Sequence, residues 1–136
     1  MTLELTRLVS LDKARARSIN LERDAGDTQI LRRFRITPLV SDVLKRLGES
    51  LEGEKINAWS LTGPYGTGKS AFCNFLLSLF CGCKEERIIC HEKLLAGNLL
   101  LASRLEPFLA LNSAEPKFIE VRALSRYEPL NTTLAR

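Results

Sequence analysis

Several features are missing from this sequence, and each absence removes a class of protein. No apolar run approaches the roughly 20 residues of a membrane-crossing helix. Residues Met1 to Arg7 carry no basic segment leading into an apolar one, so no secretory leader and no membrane partner is expected. Internal repeats and low-complexity tracts are absent. Histidine occurs once, so a zinc site would have to combine His91 with Cys81, Cys83 and Cys90. Their spacing does not match the paired C-x2–4-C of zinc modules, and adjacent Cys90 and His91 are poorly placed to share one ion. Together with Cys73, these cysteines read as reduced thiols of a cytoplasmic protein.

What remains is the composition of an ordinary globular domain. Hydrophobic residues make up 45% and charged residues 26% of 136 positions, enough for one core. The formal charge of +4 raises the question of nucleic acid, and Arg32-Arg33-Phe34-Arg35 is the densest basic cluster. Arginines beside an aromatic suit phosphate and base contact. So short a patch reads first as a solvated edge.

One stretch organises the chain: Gly63-Pro64-Tyr65-Gly66-Thr67-Gly68-Lys69-Ser70 fills every fixed position of G-x-x-x-x-G-K-[ST]. A phosphate tail needs several N–H donors turned into one concavity, and glycines let the backbone curl that tightly. Lys69 is expected on the β- and γ-phosphates of a nucleoside triphosphate and the Ser70 hydroxyl on Mg2+. The helix opening there, with Ala71 in its first turn, adds free N–H groups and a positive dipole end. The cofactor-binding set is therefore Gly63, Pro64, Tyr65, Gly66, Thr67, Gly68, Lys69, Ser70 and Ala71.

The flanking pattern fits strand, loop and helix in that order. Residues 56–62 have strand length and composition. After the loop, Phe72, Phe75, Leu76, Leu79 and Phe80 form the stripe of a buried helix face. Elsewhere, residues 18–21 alternate like a short strand before a charged turn at 22–27. Thr37-Pro38 opens a helix with Leu39, Val40, Val43, Leu44 and Leu47 inward, and Gly48 marks its end. Residues 49–55 read as a connector and 82–92 as loop. A leucine-rich helix runs from Lys93 to about Leu105, ahead of Pro107. Residues 117–122 read as a second strand and 128–136 as the start of another helix.

The fold class expected from this order is α/β: a P-loop NTPase core whose parallel sheet is flanked by helices and is incomplete in this chain. Residues 1–36 form an N-terminal arm and 37–136 a partial P-loop NTPase domain. Residues 18–24, Thr37-Pro38 and 58–72 resemble the N-terminal portion of large bacterial AAA/STAND-like ATPases, many of them associated with phage defence. Gly-Pro-Tyr-Gly-Thr-Gly-Lys-Ser is similar to the G-P-P-G-T-G-K-[ST] loop of AAA proteins. The resemblance implies ATP and Mg2+ as ligands and a larger ATPase assembly or other protein chain as partner.

Hydrolysis needs more than this loop. The class uses an Asp at the end of an apolar strand to hold Mg2+, and here no aspartate follows Asp42. Glu120 is the one weak substitute, and Val121 after it breaks the pattern. The catalytic set is therefore empty, and the chain is an ATPase only if further sequence or another chain completes it. The alternatives are a nucleic-acid or protein interaction module with a relic loop, and a small phosphotransferase.

Overall fold

The computed structural model describes residues 19–53 and 58–120. Helices take up 58% of these residues and none of them is in a strand, so the expected parallel sheet is overturned. Among the described residues five α-helices make the body: α1 (Thr28–Arg33), α2 (Pro38–Glu52), α3 (Lys69–Phe80), α4 (Lys84–Gly97) and α5 (Leu99–Leu105). A 3-10 turn, Glu106–Phe108, follows α5. Among the described residues no helix is long and apolar enough to cross a membrane.

The core is built around α4, which packs against α1, α3 and α5, while α2 lies on α5. Phe75 and Leu79 of α3, Ile89, Cys90 and Leu94 of α4, and Leu101, Ala102 and Leu105 of α5 are all buried. Leu31 of α1 and Leu44 of α2 complete the same cluster. Phe34 stacks on Phe75 at 4.4 Å, and Phe80 meets Phe118 edge-on at 5.3 Å. Offset and edge-on rings are the arrangements that aromatic quadrupoles favour.

The stripe expected on α3 is the one that the helix buries, with Phe72 and Leu76 partly covered beside it. In α2, Thr37 caps as expected: its Oγ1 accepts from Val40 N at 3.3 Å, with Pro38 in the first turn. Two details differ. Leu39 is 73% exposed, and α2 continues past Gly48 to Glu52. Gly48 is buried in the middle of the helix, where an added Cβ would lie 3.2 Å from Leu105 Cδ2. This glycine lets α2 and α5 approach closely and ends nothing. The supposed connector therefore begins as helix, and Glu52 and Glu49 bind Arg104 of α5 at 2.7 and 3.4 Å.

Three strand expectations fail where residues are described. Residues 58–62 and 117–120 are irregular, and residues 19–20 lead into a turn at 21–26. The charged turn is present, with buried Asp24 accepting from Asn20 N at 2.9 Å. Strands need partners to persist, and no described segment supplies a ladder. Residues 54–57, 121–122 and 128–136 lie outside the described residues, as does the first half of the N-terminal arm, residues 1–18.

Residues 82–92 were expected as loop, and they form most of α4 instead. Glu86 Oε2 accepts from Cys83 N at 2.8 Å, the return half of a capping box with cysteine in the place of serine. The leucine-rich segment breaks earlier than expected, at Asn98, which ends α4 and caps α5 by accepting from Leu101 N at 3.1 Å. Leu94 and Leu101 are buried, while Leu99 and Leu100 are exposed.

Candidate phosphate-binding loop

The loop ends on α3, whose first helical bond runs from Phe72 N to Gly68 O at 2.9 Å. Ahead of it, Tyr65 and Gly66 form a hydrogen-bonded turn, and the N–H groups of Gly68, Lys69, Ser70 and Ala71 are the first-turn donors with no backbone partner among the described residues. Gly66 and Gly68 take φ of 80° and 84°, the left-handed region that side chains avoid. These two glycines let the chain turn through the loop and enter the helix at once. The free N–H groups lie at the positive end of the α3 dipole, where an anion is favoured.

The loop is closed on itself by two side chains. Thr67 Oγ1 donates to Pro64 O at 2.9 Å. Lys69 Nζ donates to Gly63 O at 2.7 Å and to Pro64 O at 2.5 Å. An ammonium has three donors, so one remains for a ligand. The structure thus gathers Gly63, Pro64, Thr67 and Lys69. Ser70 is exposed on the first turn of α3, Ala71 is half-buried, and Tyr65 projects into solvent.

Upstream, Trp59 Nε1 reaches Ser50 Oγ of α2 at 3.3 Å, which tethers the segment before the loop. Trp59 and Leu61 remain substantially exposed. Glu120 is remote from the loop. It faces a polar cleft of about 160 Å3 beside Asn74, Ser78, Cys81, Gly82 and Glu86. Cys81 lies about 18 Å along α3 from Lys69 at the helical rise. Burial first, and then the charge of Glu120, push the Cys81 thiol up.

Comparison of the chain with protein-family models, curated proteins and solved structures finds no match in any of the three. No relative therefore assigns the loop a ligand, and its chemistry has to be read from the residues.

Phe34 is taken up by Phe75 and is not free to stack on a base, so the basic cluster keeps only its arginines at the surface. Cys90 is buried, with Sγ 3.9 Å from Phe75 O, whereas Cys83 is exposed. Among the described residues no three His, Cys, Asp or Glu side chains gather as metal ligands. The sequence reading missed Arg87, which is fully buried. Its Nη1 donates to Gly82 O at 2.5 Å and its Nη2 to Ser113 O at 2.6 Å. The Cys83-Lys84-Glu85-Glu86 capping pattern is the sequence signal that would have placed it on a helix.

Proposed function

We propose that Gly63–Ser70 binds the phosphate tail of a nucleoside triphosphate with Mg2+, ATP being the expected nucleotide, and that the chain acts as a part or subunit of a larger ATPase assembly. One observation supports this: the first-turn N–H groups of α3, Gly68 to Ala71, have no backbone partner among the described residues and open directly from a complete G-x-x-x-x-G-K-S sequence. The free N–H groups would hold phosphate oxygens, with the third donor of Lys69 directed to the β- and γ-phosphates. The Ser70 hydroxyl would take a place on Mg2+. Bound there, Mg2+ would supply positive charge to offset that of the phosphates.

The described residues offer no acid at the loop to orient an attacking water. Glu120, which the sequence left as the weak substitute, faces the cleft at the far end of α3. Binding without turnover by this chain alone is the expected behaviour. Titration with a fluorescent ATP analogue and Mg2+, beside Lys69→Ala and with phosphate release followed, tests both parts. Saturable binding lost in the variant, with negligible release, is the expected result. Absence of binding by the folded wild-type chain would remove the proposal.

A further inference from the structure

We propose that Tyr65 is the platform on which the base of the nucleotide stacks, so that the site takes nucleoside triphosphates with little regard to the identity of the base. This inference rests on the loop being a phosphate site.

Tyr65 is 97% exposed, more than any other large hydrophobic side chain among the described residues. Phe34, Phe75, Phe80 and Phe118 all find ring partners, whereas this ring adds nothing to the core. Its backbone is nevertheless pinned. Pro64 precedes it, with φ restricted by the ring, and Gly66 follows in the left-handed region. Both Thr67 Oγ1 and Lys69 Nζ bond the carbonyl of Pro64, which belongs to the peptide that leads into Tyr65.

That contact also sets the reach. Lys69 Nζ lies 2.5 Å from Pro64 O. The Tyr65 Cα is about 3 Å beyond that oxygen across a trans peptide, so the ammonium sits within about 6 Å of it. A ring rooted this close to the phosphate cradle is within one nucleotide length of it. Trp59, the other exposed ring nearby, is held back toward α2 by Ser50. Every base offers a π face, so stacking on Tyr65 would be tolerant of base identity.

The test is calorimetric titration of Mg2+-ATP and Mg2+-tripolyphosphate into wild type, Tyr65→Ala, Tyr65→Phe and Lys69→Ala. Tyr65→Ala should weaken ATP about 10- to 100-fold, the range for loss of one stacked base, and leave tripolyphosphate within about twofold. Tyr65→Phe should keep ATP binding, and Lys69→Ala should weaken both ligands. ATP binding unchanged by Tyr65→Ala, or an equal loss for both ligands, would overturn the inference. If wild type binds tripolyphosphate as tightly as ATP, the phosphate site stands and the stacking inference falls. If it binds neither, both fall.

Discussion

Arg87→Met should lower the stability of the chain by about 2–4 kcal/mol, even though methionine fills much of the same volume. Two effects compete. The guanidinium donates to Gly82 O at 2.5 Å and to Ser113 O at 2.6 Å, with longer bonds of 3.3 and 3.4 Å to Ala110 O and Ala114 O. Each of the short bonds comes from a charged donor and is worth about 1.5–3 kcal/mol net. Against this stands the desolvation of a cation that is 0% exposed and whose Nε finds no acceptor. Methionine removes that cost. The acceptors at 113 and 114 lie in an exposed segment, where water replaces part of the loss.

The bonds should win, because one guanidinium ties the α3–α4 turn to the backbone of residues 110–114. Gly82 is the turn between α3 and α4, and residues 110–114 follow the 3-10 turn. Ala110 is held there at φ 49°, a conformation that costs an L-residue about 1 kcal/mol. Urea denaturation of wild type, Arg87→Met and Arg87→Lys measures the balance. Lysine should recover part of the loss, since one ammonium does not span both carbonyls. Faster amide exchange at 110–117 should accompany the loss in both variants. Arg87→Met as stable as wild type, with an unchanged m-value, would refute the reasoning and show that desolvation cancels the bonds.

The remaining predictions concern caps, turns and thiols. Gly82→Ala should cost about 1–3 kcal/mol or more, because its Cβ would fall 2.5 Å from Ser78 O; an unchanged melting temperature would contradict this. Thr37→Ala should cost about 1 kcal/mol by removing the α2 cap, read from the same denaturation curves. Cys90 is pushed up to about 12, by burial first and then by the charge of Glu86. Its unfolded thiol ionises near pH 8.5, so above that pH the unfolded chain releases a proton that the native chain keeps. The stability that Cys90 contributes is complete below about pH 8.5. It should fall by up to about 1.4 kcal/mol per unit above that, until the native thiol itself ionises. Burial raises Cys73 and Cys81 in the same direction. Cys90→Ala should flatten part of this alkaline slope, and a slope identical to wild type would contradict the assignment.

The sequence is legible here where the signal is local. The stripe of α3, the Thr37-Pro38 start of α2 and the turn at 21–26 follow from spacing, capping and turn chemistry within a few residues. The strands do not, because a strand exists only through a distant partner. Trp59 and Leu61 alternate as strand residues would, yet neither is covered. Gly48 misled for a related reason: a glycine in a helix reads as a stop, whereas its role is set by Leu105, a residue far along the chain. Helix α4 was hidden by an unusual cap, Cys83, and by charged residues that the fold buries, Glu86 and Arg87. The candidate loop stands out in the sequence because its motif lies in eight consecutive residues. What the sequence did not reveal is that Lys69 lies on the loop's own carbonyls and that Tyr65 stands clear of the surface.

The most direct test of the phosphate site is a series of 1H–15N spectra recorded while Mg2+-tripolyphosphate is added to the chain. The account predicts that the amides of Gly68, Lys69, Ser70 and Ala71 move together and saturate, since these are the first-turn donors of α3 with no backbone partner among the described residues. Lys69→Ala should abolish the movement without altering the rest of the spectrum. Shifts confined to Arg32, Arg33 and Arg35, or none in the loop at saturating ligand, would contradict the account.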